Sequence, residues 1–340
     1  MKITFLIGNG FDMALSSKYQ IEKTDYKSIY NWNKHWEFDK YEQGDNMLVN
    51  SIYNNQSDLW SDFEDGLVSY FSNIEDVKGL INFFKDKDQI CGYIYEYLKN
   101  FFERKLLQNK FCDFCIDEFA SSVLDFTDRM NFSDKNKIIN FLLDNKGSND
   151  PIYIDFINFN GTNTLELLLS KLSSMDLSLK IGTEFIKADL GKVKYLHSRL
   201  GGKTENYNEY AFGTTAINDI SPRLQIPTSL FNLLVKTNYN FGDWIKDTDL
   251  FITHGLSFGN SDEYYWGKIV EKIYEGSMLI DFPFLDVETK KSEELMNEFK
   301  KERISKIAKF DNVSEINNNI IITHLSGFKA EQKSASIFSF

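Results

Sequence analysis

Residues Met1–Asp12 read MKITFLIGNGFD, an apolar run that ends abruptly in Gly8-Asn9-Gly10. The run from Ile3 to Ile7 is typical of a buried β-strand. Two glycines around one small polar residue allow a tight turn and a close approach of the backbone to a ligand. A helix is predicted to follow from about Met13. A strand, a glycine turn and a helix N-terminus together form a site for a nucleotide phosphate.

The glycine turn is only part of the dinucleotide-binding fingerprint. The full pattern has a third Gly or Ala three residues after Gly10, where this chain has Met13. The alternative interpretation is therefore an N-terminal central strand that is followed by an ordinary glycine turn.

The composition is that of an acidic globular protein. The chain has 340 residues, 42% of them hydrophobic, and a net charge of −12. Nucleic acids and anionic membranes are usually bound by a basic face, so neither is expected as a general partner. No run of about 18 apolar residues predicts a membrane span, and the N-terminal run is interpreted as a core strand rather than a signal peptide. We therefore predict a cytoplasmic protein.

The three cysteines do not predict a metal site. Cys112 and Cys115 form a single CxxC inside a helical pattern. A zinc ribbon needs a second pair of ligands. We therefore predict reduced thiols in the protein core and no bound metal.

Apolar residues recur at helical spacing between residues 57 and 145, which predicts an insert of four or five helices. The turn formers of Lys146–Pro151 mark its end. Strands and helices alternate after the insert, which predicts an α/β fold with a mostly parallel sheet covered on both faces. The predicted α/β domain comprises 1–56 and 146–340. Its later strands are expected at 152–157, 193–197, 249–254, 278–282 and 320–323, and its helices at 165–172, 229–245, from about Glu263, and at 289–308.

Four polar segments stand at the ends of predicted strands. They are GNGFD (8–12), NFNGTNTLE (158–166), YLHSRLGG (195–202) and GLSFGNSD (255–262). Ligands of open α/β sheets bind beyond the carboxyl ends of the strands, so we expect these segments to converge on one crevice. The residues expected to line it are Gly8, Asn9, Gly10, Asn160, His197, Gly255 and Ser257.

These segments resemble the motifs of the AbiH family of bacterial abortive-infection proteins. GNGFD is similar to the opening motif of that family, and WSDFE (60–64) is similar to its Trp-x-x-Phe/Leu-Glu segment. FNGTNTLE resembles its Asn-Tyr-Thr-Asn-Thr-Leu-Glu segment, with Gly161 where Tyr is usual. LHSRLGG resembles its His-Gly element, with Ser198 in place of Gly, and GLSFGNSD resembles its Gly-x-Ser-Leu-x-x-x-Asp element. The order of the motifs is in turn similar to that of sirtuin-like NAD-binding domains.

The resemblance implies a phage-defence effector with a Rossmann-like, sirtuin-like core that binds NAD and hydrolyses it to nicotinamide and ADP-ribose. Asn160 would hold a water molecule or the ribose. His197 would act as the general base, because its side chain titrates near neutral pH. The expected cofactor-binding residues are Gly8, Asn9 and Gly10 for the pyrophosphate, Gly255 and Ser257 for the other phosphate or ribose, and Asp12 and Asp262 for ribose hydroxyls.

Other interpretations stay open at this point. Gly161 and Ser198 depart from the family pattern, and the alternative function is a non-catalytic nucleotide-sensing or interaction protein of a defence system. A Rossmann oxidoreductase is disfavoured, because no acidic residue is clearly placed about 20 residues after the glycine turn at the end of a second strand. His254 is the alternative base, and capping of the helix near Thr164 is the alternative role of Thr162 and Asn163. A homo-oligomer and a defence-system partner both fit the sequence.

Overall fold

The structure is a computed structural model that describes residues 1–19, 21–25, 28–29, 70, 73–105, 113–147, 150–173, 175–196, 240–256, 262–282 and 317–323. Several features singled out in the sequence lie outside these ranges. They are His197, Ser257, the WSDFE segment, Cys112, the helix expected at 289–308 and most of the helix expected at 229–245.

One sheet of seven strands lies in the described part of the chain. The strands are β1 Lys2–Ile7, β2 Ile152–Asn158, β3 Ser178–Ile181, β4 Glu184–Tyr195, β5 Leu250–His254, β6 Met278–Phe282 and β7 Ile320–Ile322. They stand in the order β3-β4-β2-β1-β5-β6-β7, and only β3 is antiparallel to its neighbour. The prediction of an α/β fold with a mostly parallel sheet is confirmed.

The topological switch point of the sheet lies beside β1. Counted along the chain, the six parallel strands follow the order 3-2-1-4-5-6, which doubly wound sheets share. The chain builds outward through β2 and β4 on one side of β1, and through β5, β6 and β7 on the other. Sheets of this kind bind ligands in the crevice where the direction reverses. The Rossmann-like and sirtuin-like descriptions of the sheet stay predictions.

Helices cover both faces of the sheet. In the described ranges they are α1 Asn9–Tyr19, α2 Val77–Tyr97, α3 Asp113–Leu124, α4 Phe132–Asn145, α5 Thr164–Leu172, α6 Phe241–Ile245 and α7 Glu263–Tyr274. Ile3, Phe5 and Ile7 pack in one core with α1, α3, α4 and α5, whereas Leu6 packs in a second core with α6 and α7. Successive strand residues point to opposite faces, so a continuous apolar run is what a strand buried on both sides requires.

The described part of the predicted insert is mainly helical. α2 continues as a π-helix over Leu98–Glu103, and a 3₁₀ turn at Phe126–Arg129 joins α3 to α4. Phe119 of α3 and Leu142 of α4 belong to the same core as Phe5 of β1. Helices of the insert therefore complete one face of the sheet. The boundaries of the predicted insert, 57–145, and of the α/β domain, 1–56 and 146–340, stay a prediction.

Two local predictions are wrong. α1 begins at Asn9 and not near Met13, because Gly10 lies in the first turn of the helix rather than in a turn before it. β4 begins at Glu184, well before the strand expected at 193–197, since it pairs first with β3 across a turn at Gly182, where φ is +62°. This hairpin has no counterpart in the sequence interpretation.

None of the helices within the described ranges is both long and apolar enough to cross a membrane.

Candidate functional site

Three of the four polar segments meet at one edge of the sheet. Ile7, the last residue of β1, pairs with Asn158 on one side and with His254 on the other. The segments that follow these three strands therefore leave the sheet side by side. The fourth segment begins beside them, because the Leu196 N–H donates to the Asn158 carbonyl oxygen at 3.0 Å. The residues after Leu196 lie outside the described ranges.

The glycine turn packs directly on the backbone that follows β5. The Gly8 N–H donates to the His254 carbonyl oxygen at 2.8 Å, and the Gly10 N–H donates to the Gly255 carbonyl oxygen at 2.9 Å. A Cβ atom on Gly8 would lie 2.5 Å from the Gly255 oxygen, and one on Gly255 would lie 2.4 Å from the Gly10 Cα atom. Gly255 also has a φ of +63°. These glycines are required by the contact between the two loops.

Asn9 stands exposed at the N-terminus of α1. Thr24 holds its side chain, donating from its hydroxyl to Asn9 Oδ1 at 2.7 Å and accepting from Asn9 Nδ2 at 3.3 Å. The Phe11 N–H is already bonded to the Gly8 carbonyl oxygen. Within Gly8–Phe11, the Asn9 N–H is thus the one backbone donor without an acceptor among the described residues. The dipole of α1 favours an anion at this point.

Asp12 lies beneath this turn, and its side chain is completely buried. Its Oδ2 atom accepts hydrogen bonds from the Thr162 hydroxyl at 2.7 Å and from Asn160 Nδ2 at 3.3 Å. The same Asn160 amide donates to the Gly8 carbonyl oxygen at 2.9 Å. The polar residues of the second segment therefore assemble around the aspartate of the first.

These contacts fix the orientation of the Asn160 carboxamide. The Gly8 carbonyl and the Asp12 carboxyl oxygen are both acceptors, so the group between them must be the NH₂ of the amide. The Asn160 backbone N–H donates to Asn158 Oδ1 at 2.9 Å, which holds the turn. Asn160 is 7% exposed, and its Oδ1 has no donor among the described residues. This carbonyl oxygen is the acceptor that the site offers to a ligand.

The Asp12 carboxyl group titrates near neutral pH. Burial, which disfavours the charged form, raises the pKa of Asp12 from its usual 3.8 to about 7. The hydroxyls of Thr162 and Thr164 oppose this rise, and the negative charge of Glu103 adds to it. Both protonation states of Asp12 are therefore populated around pH 7.

Glu103 is a site residue that the sequence interpretation missed. It ends the π-helix that continues α2, and its Oε1 atom accepts the Asn163 N–H at 2.8 Å. Asn163 follows Thr162 in the chain, so the turn before α5 lies between the Glu103 and Asp12 carboxyl groups. No sequence signal was present to find it, because a π-helical stretch shifts the side chains out of the register that helical spacing predicts.

The remaining candidates are distributed as follows. His254, the alternative base, is 3% exposed and stacks between the rings of Phe5 and Phe282, with centroid distances of 5.8 and 4.9 Å. Asp262 is buried immediately before α7, the helix that packs on the face opposite α1. The capping alternative holds in part: Asn163 is the N-cap residue of α5, although its side chain makes no capping hydrogen bond. The Thr162 hydroxyl instead binds Asp12.

The fold and the site define a class: a mostly parallel α/β protein in which a glycine turn, a buried aspartate and an oriented asparagine meet beyond the central strands. Residues 4–282 match the family model described as bacteriophage abortive infection AbiH. The chain therefore belongs to the AbiH family, as the resemblance implied, and the family implies a role in abortive infection against phage. Comparison with curated proteins and with solved structures finds no match.

Proposed function

We propose that this AbiH protein binds NAD in the crevice beyond β1, β2 and β5, and hydrolyses it to nicotinamide and ADP-ribose. The observation that supports the proposal best is the Asn160 carboxamide, which is held by Gly8 and Asp12 with its Oδ1 available to a ligand. It lies where the strand order reverses, which is the usual ligand site of such sheets.

The reaction breaks the bond between C1′ of the ribose and the nicotinamide ring nitrogen. The electron pair of that bond passes to the ring nitrogen, which releases neutral nicotinamide and leaves an oxocarbenium-like C1′. The oxygen of a water molecule bonds to C1′, and a general base takes the proton of that water. Asn160 Oδ1 is suited to hold either this water or a ribose hydroxyl, because both are hydrogen-bond donors.

His197 is our proposed general base, since its side chain titrates near neutral pH. Its sequence position supports the assignment: the chain reaches Leu196 beside Asn158, two residues before Asn160. His197 itself lies outside the described residues.

The phosphates of NAD are proposed to bind at the N-terminus of α1. The Asn9 N–H is the available donor there. Gly8 and Gly10, whose own N–H groups are bonded to His254 and Gly255, flank it and hold the turn in place. Gly255, Ser257 and Asp262 are kept as proposed contacts of the other phosphate or ribose. Asp12 is completely buried, so we assign it the orientation of Asn160 in place of the direct ribose contact expected from the sequence.

The test is release of nicotinamide from NAD by the purified full-length protein, measured by chromatography. Asn160→Ala and His197→Ala should each abolish release and the toxicity of the protein in cells. Asn160→Ala also removes one donor from the Gly8 carbonyl oxygen and one from Asp12 Oδ2, which keep the Phe11 N–H and the Thr162 hydroxyl. The cost is about 1 kcal/mol per lost hydrogen bond, so folding is checked by circular dichroism. Asn145→Ala, which changes an exposed asparagine of α4, is the matched control and should leave release unchanged.

The outcomes separate the interpretations. Full release by Asn160→Ala would overturn the role of Asn160, and full release by His197→Ala would move the base to another residue or to the substrate itself. NAD binding by the wild-type protein without release of nicotinamide would favour the non-catalytic nucleotide-sensing function.

A further inference from the structure

We propose that Glu103 is a positioning residue of the NAD site, through which the helix that carries it holds the Asn160 turn against Asp12. The assignment of NAD as the ligand rests on the proposed function, whereas the coupling of Glu103 to Asp12 does not. The helix concerned is called the α2 segment below and comprises residues 77–105, that is, α2, the π-helix and the two helical residues that follow.

The first support is the contact between Glu103 and the start of α5. The N-terminal N–H groups of a helix lack partners within the helix, and the positive end of its dipole favours a negative group. The Asn163 carbonyl oxygen accepts the Leu167 N–H at 3.0 Å, which makes Asn163 the capping position of α5. Glu103 accepts the Asn163 N–H, so a side chain from the α2 segment holds this end of α5.

The second support is the short path from Glu103 to Asn160. Asn163 directly follows Thr162 in the chain. The Thr162 hydroxyl donates a hydrogen bond to Asp12 Oδ2, and the Asn160 amide donates to the same oxygen. Both donors of the Asp12 carboxyl group therefore lie on the turn whose end Glu103 holds. Displacement of Glu103 from Asn163 would loosen the turn that aims Asn160 Oδ1 at the ligand.

The third support is that the α2 segment also contacts the residues just before Thr24, which holds the Asn9 side chain. The Tyr97 hydroxyl donates to the Lys23 carbonyl oxygen at 2.7 Å, and Lys105 forms an ion pair with Glu22. The next residue, Thr24, holds the Asn9 side chain. One helical segment thus contacts the supports of both Asn9 and Asn160, the two groups that offer a free donor and a free acceptor to the ligand.

The charge of Glu103 adds an electrostatic contribution to this contact. Among the described residues, Glu103 is the charged group that acts on the Asp12 carboxyl, and the turn before α5 supplies only the hydroxyls of Thr162 and Thr164. Removal of the Glu103 charge should therefore lower the pKa of Asp12. An ionised Asp12 makes stronger hydrogen bonds to Thr162 and Asn160 than a neutral one.

The experiment compares Glu103→Gln and Glu103→Ala in the full-length protein, with Glu96→Gln as the control. Glu96 lies on the same α2 segment and is exposed. The first measurement is the pKa of Asp12, followed by ¹³C NMR of protein labelled at the aspartate carboxyl groups. The Asp12 signal is identified as the one that Asp12→Asn lacks. No ligand is needed for this measurement.

We expect Glu103→Gln to lower the titration midpoint of Asp12 and to preserve the fold, because the Gln oxygen still accepts the Asn163 N–H. Glu103→Ala should lower the midpoint and also loosen the turn.

The second measurement is NAD binding by calorimetry across the same pH range. Glu103→Gln should shift the pH dependence of binding, and Glu103→Ala should weaken binding at every pH by about tenfold, the effect of one lost hydrogen bond.

Wild-type affinity for NAD in Glu103→Ala would overturn the positioning role. An unchanged Asp12 midpoint in Glu103→Gln, or a shift of the same size in Glu96→Gln, would overturn the electrostatic coupling of Glu103 to Asp12. If the wild-type protein fails to bind NAD while Glu103→Gln still lowers the Asp12 midpoint, the proposed function is overturned and the coupling of Glu103 to Asp12 is supported.

Discussion

At the scale of single residues, Asp12 connects segments that are far apart in the chain. Asn160 and Thr162, which bind its carboxyl group, are 148 and 150 residues away in sequence. Burying this carboxyl group costs much more free energy when it is ionised than when it is protonated. The stability of the protein should therefore depend on pH through this one residue.

The first prediction concerns the wild-type protein and Asp12→Asn. The pKa of Asp12 is about 7 in the folded state and 3.8 in the unfolded chain, so the folded state binds the extra proton between these values. The stabilising contribution is complete below about pH 4 and declines as the pH rises to about 7, by on the order of 4 kcal/mol in total. Asp12→Asn is neutral throughout and should lose this decline. Urea unfolding at about pH 4.5 and about pH 7.5 measures both proteins.

Asp144→Asn is the control for this experiment, since Asp144 is exposed on α4. It should follow the wild-type protein at both pH values. A difference between wild type and Asp12→Asn that stays constant with pH would contradict the assignment of a raised pKa to Asp12.

At the scale of secondary-structure elements, the contact between the glycine turn and the loop after β5 sets the shape of the crevice. Gly8 and Gly255 approach so closely that neither position has room for a Cβ atom. The helix α1 starts at once because the N–H groups of Gly10 and Phe11 are bonded to the Gly255 and Gly8 carbonyl oxygens. The geometry of the turn is thus a property of the pair of loops.

The second prediction compares Gly255→Ala with Gly182→Ala. Both glycines have nearly the same positive φ, +63° and +62°, but a Cβ atom on Gly182 would make only ordinary contacts, the nearest of them 3.6 Å from Ile139. Gly182→Ala should therefore cost only the backbone strain, about 1 kcal/mol. Gly255→Ala must in addition displace the start of α1, and should lose at least about 2 kcal/mol more. Chemical denaturation of both variants measures the two costs, and equal losses would refute the close packing of the two loops.

At the scale of the whole molecule, the sheet is sandwiched between two helical layers and its central strand is buried on both faces. Phe5 of β1 is fully buried, and its ring lies 5.4 Å from that of Phe156 and 6.4 Å from that of Phe126. It links β1, β2 and the turn between α3 and α4 in one core. The stability of the predicted insert and that of the sheet should therefore be coupled.

The third prediction is that Phe5→Ala lowers the free energy of unfolding by about 3–5 kcal/mol, the usual effect of a truncated core phenylalanine. Phe185→Ala makes the same chemical change on β4, where the side chain is 70% exposed, and should stay within about 0.5 kcal/mol of wild type. Unfolding followed by circular dichroism tests both variants. A small loss in Phe5→Ala would show that the core adapts around β1.

Much of the fold could be predicted from the sequence because buried parallel strands are continuous apolar runs. Ile3–Ile7, Ile152–Ile157 and Met278–Phe282 carry that signal within the chain itself, and each was located to within a residue or so. Chain topology then explains why Gly8, Asn160 and Gly255 meet: the carboxyl ends of neighbouring parallel strands share one edge of the sheet.

Only the tertiary structure decided how these residues act on one another. The start of α1 depends on a bond from Gly10 to Gly255, the raised pKa of Asp12 depends on complete burial, and the role of Glu103 depends on Asn163, 60 residues further along the chain. Local sequence determines which backbone conformation a segment prefers. Hydrogen bonds and desolvation between distant segments exist only after the chain has folded, and no local pattern encodes them.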